Sequence, residues 1–137
     1  MNHHYTFMAL RFLCVVMAAS CIPSASAMAP DHVQQSFRDK FGDGIQPAWE
    51  VDVNGYWEAS FDKNGKSIRV DFKDSGKWVE TEKNLNFDEL PGPVQVAVRK
   101  EFADRPISEI EEVNHWNKGH FFDVEFSGPG PNEDVEY

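Results

Sequence analysis

The sequence predicts an α+β fold, a duplicated helix-plus-antiparallel-strands unit with two helices packed on one face of an antiparallel β-sheet. Three observations predict it. A helical pattern, Pro30-x-x-Val33-Gln34-x-x-Phe37-Arg38-x-x-Phe41, recurs as Pro91-x-x-Val94-Gln95-x-x-Val98-Arg99-x-x-Phe102. Behind each copy come segments that alternate apolar and polar residues, and residues 56–61 and 70–72 are echoed at 121–126 and 135–137. Glycine-bearing turns punctuate those segments at Asn54-Gly55, Asn64-Gly65, Asp74-Ser75-Gly76 and Lys118-Gly119. A recurring supersecondary unit is read as one module used twice. The two copies span about 30–84 and 90–137, the second lacking a final strand, and together they form a single domain over 28–137.

Residues 1–27 stand apart from this domain. Arg11 precedes a short apolar run at residues 12–19, too short for a stable membrane span. Pro23 interrupts it, and Ala25-Ser26-Ala27 supplies a small-x-small cleavage pattern, so the segment is expected to be a secretory signal peptide. The alternative is a lipoprotein signal with lipidation at Cys21, the one route by which the protein would be held at a membrane. Either way the expected location is periplasmic or secreted. Cys14 and Cys21 both lie in this leader, which leaves a domain of about 110 residues with no disulfide to staple it. All 23 acidic residues but only 12 of the 13 basic ones follow it, giving a charge near −11. That balance excludes nucleic acid and anionic lipid as partners, and favours a basic protein surface, a cation, or solubility alone.

The first helix is expected over 31–41, where Val33, Phe37 and Phe41 form an i, i+4 stripe. Pro30 fits the first turn, and Gly42 and Gly44 end the helix. A second helix is expected over about 92–103 on the stripe Val94, Val98, Phe102. Period two follows the first helix. Trp49, Val51 and Val53, then Trp57, Ala59 and Phe61, then Ile68, Val70 and Phe72 occupy one face, which the helices cover. The opposite face is polar and expected to meet water. In the second copy, residues 107–116 are rich in charge with irregular alternation, whereas 120–127 read as a clear strand, followed by a turn at Gly128-Pro129-Gly130-Pro131.

Turn chemistry sets the register. A type I′ turn at Asn64-Gly65 pairs Phe61 with Ile68, Ala59 with Val70 and Trp57 with Phe72, so every apolar residue meets another. A three-residue turn with Gly76 in the left-handed region pairs Phe72 with Trp78. A three-residue loop or a bulge around Asn54-Gly55 places Val53 opposite Trp57. Asp52, Glu58 and Asp71 then form a row across three strands on the polar face, with Asp123 and Glu136 at the matching positions of the second copy and Glu125 where Ser60 stands. Like charges directly opposite are destabilising. The row is therefore a docking face for Lys or Arg of a partner or a weak divalent-cation site, unless it is a solvated face kept acidic for solubility and relieved by Arg69 and Lys73.

Tyr56 and Phe121, at equivalent places outside the apolar stripe, are interface anchors or pack against their own loops. Trp49, Trp57 and Trp78 fall on the inward face. His115 and His120 flank a turn and make at most half of a metal site. Asp62-Lys63-Asn64-Gly65 lacks the alternating ligands and terminal Glu of a calcium loop. No Gly-x-Ser-x-Gly, His-Glu-x-x-His or phosphate-loop pattern occurs.

The order helix, Trp49-Glu50, Asn-Gly turns, Asp74-to-Trp78 turn, and Leu90-Pro91 opening a second helix resembles the PepSY-like domains of exported bacterial proteins. That family is related to the β-lactamase-inhibitor-protein fold, and the resemblance covers residues 30–137. It implies helices on one side of an antiparallel sheet and a non-enzymatic, protein-binding or inhibitory role. The implied partner is an envelope or extracellular protein, such as a peptidase or another enzyme. No catalytic set, metal or cofactor comes with it. The expected partner-binding residues are Asp52, Tyr56, Glu58, Arg69, Asp71, Phe121, Asp123 and Glu125. The alternative is a periplasmic cation or small-ligand binder using the carboxylate row.

Overall fold

In the computed structural model, which describes residues 28–127 and 134–137, the chain runs α1 (Asp31–Phe41), β1 (Ala48–Val51), β2 (Trp57–Lys63), β3 (Lys66–Phe72), β4 (Trp78–Asn84), α2 (Gly92–Glu101), β5 (Ile107–His115), β6 (Gly119–Phe126) and β7 (Asp134–Glu136). The expected signal peptide and the turn at 128–131 lie outside the described residues. The seven strands form one antiparallel sheet in sequence order, so each strand pairs with its chain neighbours. This is an α+β fold with two helices and a meandering sheet. No helix among the described residues is long and apolar enough to cross a membrane.

Both helices lie on the same face. From α1, Val33 and Phe37 pack with Ala59, Phe61, Ile68, Val70 and Phe72 of β2 and β3. Phe37 sits at the middle of an aromatic cluster, its ring 5.0 Å from Phe41, 5.6 Å from Trp49 and 5.5 Å from Phe61. From α2, Val98 joins Leu90, Ile110, Val124 and Phe126 in a second cluster, and Phe102 stacks on Phe126 at 4.4 Å. Between the clusters this face turns polar. Trp78 Nε1 donates to Thr81 Oγ1 at 3.0 Å, and Glu112 pairs with Lys83 and with His120. The second helix ends at Glu101, two residues before its expected limit.

Asn64 and Gly65 both have positive φ, 54° and 76°, as a type I′ turn requires, and β2–β3 pair in the expected register. Gly76 at φ 81° closes the β3–β4 turn, and Phe72 stands opposite Trp78. A side chain at Gly76 would also strike the Ser36 hydroxyl of α1, so glycine answers both conformation and close approach.

One expectation is corrected, and one segment that the alternation left irregular proves to be a strand. In β1–β2, Val51 rather than Val53 stands opposite Trp57, a slip of two residues that keeps Trp49 and Val51 on their expected face and leaves Val53 outside the strand, 80 % exposed. Asp52 causes it. Its carboxylate accepts from the backbone N–H groups of Asn54 at 2.9 Å and Tyr56 at 2.7 Å, closing a loop that ends β1 early. The irregular segment 107–116 is β5, a nine-residue strand, Ile107–His115, between β4 and β6. A bulge between Ile107 and Glu109 breaks its alternation, which disguised it.

Candidate functional site: the acidic face of the sheet

The face away from the helices is built from three rows of directly opposed residues. The first row runs Glu50, Glu58, Asp71, Glu80 and His115 across β1 to β5. The second runs Ser60, Arg69, Glu82, Val113 and Phe121 across β2 to β6. The third runs Asn84, Glu111, Asp123 and Glu136 across β4 to β7. Beyond it, Glu109, Glu125 and Asp134 again stand opposite one another. Opposed residues lie about 5 Å apart. Arg69 is the single Lys or Arg within these rows.

The middle of this face is buried, contrary to the expectation that it meets water. Asp71 and Glu111 are each 2 % exposed and Glu82 is 6 % exposed, although no helix covers them. Arg69 accounts for two of the three. Its Nε donates to Glu82 at 2.8 Å, its Nη2 donates to Glu111, and its Nη1 lies 3.6 Å from Glu109. One guanidinium thus ties β3, β4 and β5 together. Burial opposes its charge, but Glu111, Glu82 and Glu109 outweigh that and raise its pKa.

Asp71 has no such partner. Its Oδ1 is buried without a hydrogen bond. Burial first, then the charges of Glu82, Glu58, Asp52 and Glu80, push its pKa up to about 8. Glu58 is also raised, by burial, against a hydrogen bond from Ser60 Oγ at 2.9 Å. On β6, Asp123 repeats the situation. Its Oδ1 is likewise buried and unbonded, and burial followed by Asp134, Glu125 and Glu136 raises its pKa to about 7.

Of the expected site residues, Glu58 and Asp71 are brought side by side, with Arg69 next to them but engaged by glutamates. Asp52 leaves the row for its loop, and Glu50 takes its place opposite Glu58. Tyr56 is half-buried beside that loop. Phe121 is half-buried opposite Val113, with Lys118 Nζ 5.2 Å from its ring centre. Asp123 and Glu125 lie three strands from Asp71, and Asp123 pairs with Glu136 as expected.

His115 and His120 do not converge, because they occupy opposite faces of their hairpin. His115 Nδ1 accepts from the N–H groups of Asn117 and Lys118, whereas His120 meets Glu112 on the helix side. No group of three or more His, Cys, Asp or Glu among the described residues is arranged to hold a metal ion.

The sequence reading missed Glu50, Glu80, Glu82 and Glu111. Glu80 and Glu82 reach this face through a β-bulge next to Asp71, which makes Glu80 its partner in place of Val79. At the rim, Trp116 is 47 % exposed under Lys77 and Lys73, whose Nζ atoms lie 4.2 and 5.6 Å from its ring centre.

The model of the family described as "Putative beta-lactamase-inhibitor-like, PepSY-like" matches residues 55–128, more than half of the chain. Among solved structures, a DUF2874 family protein of Bacteroides ovatus is 24 % identical, with a TM-score of 0.70 over 80 % of each chain. A protein of Bacteroides eggerthii, described among "putative periplasmic proteins", is 27 % identical, with a TM-score of 0.67 over 74 % of each chain. A BLIP-like protein of Bacteroides fragilis shares the fold at 19 % identity, with a TM-score of 0.68 over 80 % of this chain and 79 % of that one. No curated protein matches the chain.

Proposed function

The chain belongs to the PepSY-like, β-lactamase-inhibitor-like family, and we propose that it is an exported, non-enzymatic protein-binding module that docks its partner on the acidic face of the sheet. The observation that carries this reading is the first row, Glu50–Glu58–Asp71–Glu80, four carboxylate residues opposed on adjacent strands with no Lys or Arg among them. A protein fold gains nothing from that arrangement in isolation, since like charges opposed in a sheet are destabilising. Charge complementarity to a basic surface explains it.

Two further points support the reading. If the chain is two copies of one unit, Glu50, Glu58 and Asp71 correspond to Glu111, Asp123 and Glu136, which are paired in the same order. Carboxylates at all six positions fit a face kept acidic in both halves. The likeness to a BLIP-like protein, at the level of fold alone, favours an enzyme as partner, held inactive while bound. The neighbour of described periplasmic type agrees with a periplasmic or secreted site of action.

The test is capture from an envelope fraction by the immobilised domain. The wild type and a helix-side variant, Asp31→Lys with Asp39→Lys, should retain the same partner. Glu50→Lys with Glu58→Lys should lose it while keeping the native circular dichroism spectrum. Equal capture by all three would reject the acidic face as the interface.

A further inference from the structure

The identity of the seat on this face follows from one atom. Resting on the docking reading above, we infer that the point beside Asp71 and Glu58 receives a lysine or arginine side chain of a basic protein partner, and that its arrival expels a proton from Asp71.

Asp71 and Asp123 both carry an unbonded buried Oδ1, but Asp71 is the one whose whole residue is buried, Asp123 being half-buried. Asp71 is 98 % buried and its Oδ1 has no hydrogen-bond partner, whereas buried Glu82 and Glu111 are both held by Arg69. Buried polar atoms without partners are rare in folded proteins, and each calls for an explanation. The groups around it are all of one sign or already committed. Glu50 of β1, Asp52 of the following loop, Glu58 of β2, and Glu80 and Glu82 of β4 are acidic. Arg69, on the same strand, is turned to Glu82, Glu109 and Glu111. His115, at the end of the row, accepts two backbone N–H groups at Nδ1, and burial followed by Lys118 lowers its pKa, so it adds no positive charge at neutral pH. The lysines of the rim lean onto Trp116. Asp71 itself meets no cation, and Glu58, directly opposite it on β2, adds a second carboxylate beside the place where one would sit.

Proton release follows. With its pKa pushed up to about 8, Asp71 is mostly protonated at pH 7 in the free protein. A cation within about 4–6 Å favours the carboxylate, so binding transfers the proton to the buffer. Affinity then rises with pH, by up to about tenfold per unit below pH 8.

The experiment uses a blocked tetra-arginine peptide, with tetra-citrulline as its neutral counterpart. Titration calorimetry at pH 7 in phosphate and in Tris counts released protons from the difference in apparent enthalpy. Wild type should bind tetra-arginine at low salt and release between about half a proton and one proton, with affinity rising from pH 6 to pH 8. Asp71→Asn should bind more weakly and lose most of the release and of the pH dependence. Asp104→Asn, which removes one exposed charge elsewhere, should keep both. Absence of binding, binding without release, or release undiminished in Asp71→Asn would each overturn the inference. If partner capture from the envelope still depends on Glu50 and Glu58 in that event, the docking reading stands without it. If capture ignores those residues, the docking reading itself has failed.

Discussion

Asp71 and Arg69 are neighbours on one strand with opposite fates, and the difference is one of hydrogen bonding. Arg69 brings a charge into a half-buried place and finds three carboxylates there; Asp71 brings one into a buried place and finds more of its own sign. The consequence is a measurable pH dependence of stability. The Asp71 carboxyl has a pKa of about 8 in the folded protein against 3.8 for the free side chain. Between those values the native state holds a proton that the unfolded chain has released. The contribution of this group to stability is therefore greatest at acid pH and falls as pH rises, by up to about 1.4 kcal/mol per unit, levelling off above pH 8. Asp123, raised to about 7, adds a slope of the same sign over a narrower range. Asp71→Asn is neutral at every pH and nearly the same size, so it should match wild type near pH 4 and exceed it increasingly toward pH 8. Urea unfolding at pH 4, 6 and 8 decides this, and parallel profiles for the two proteins would contradict it.

At the scale of elements, the apolar contact of α1 with the sheet centres on Phe37. It is fully buried and touches rings from α1, β1, β2 and β3. Phe37→Ala should cost about 3–5 kcal/mol, whereas Val96→Ala, on the exposed side of α2, should change stability by less than about 0.5 kcal/mol. Denaturant midpoints at fixed m-value test the contrast. Phe37 is legible in the sequence, since a period of 3.6 facing a period of 2 places it on the sheet. So is the β2–β3 register, because Asn64-Gly65 admits one tight turn. What stayed hidden was local and nonperiodic. Asp52 folds back on its own loop and slides β1 by two residues, so Glu50 rather than Asp52 faces Glu58. Bulges beside Asp71 and Ile107 insert single residues, moving Glu80 and Glu82 onto the acidic face and obscuring β5. The presence of an acidic row could thus be read from alternation, but its members could not. Nor does sequence reveal that Arg69 spans three strands, because that depends on β4 lying between β3 and β5.

For the whole molecule, charge is distributed by face. The formal net charge of the chain is −10, and the outer side of the sheet concentrates acids in adjacent rows while its rim carries Lys73, Lys77 and Lys118 around aromatic rings. Such a face attracts a basic partner before contact, and the attraction is screened within about 10 Å at 0.1 M salt. Rate and affinity should therefore respond differently. The association rate constant for a basic protein probe such as hen lysozyme should fall at least about tenfold between 10 and 200 mM salt, as steered encounters do. The dissociation rate should change much less, because contacts formed at a buried carboxylate are screened weakly. Glu50→Lys with Glu58→Lys should flatten the salt dependence of association. Asp71→Asn should leave that dependence nearly intact, since a mostly protonated group contributes little long-range field, while speeding dissociation. Stopped-flow or surface-based kinetics at several salt concentrations separates the two variants. If Asp71→Asn altered association and left dissociation unchanged, the carboxyl would be acting through its distant charge and not as the seat of a bound cation.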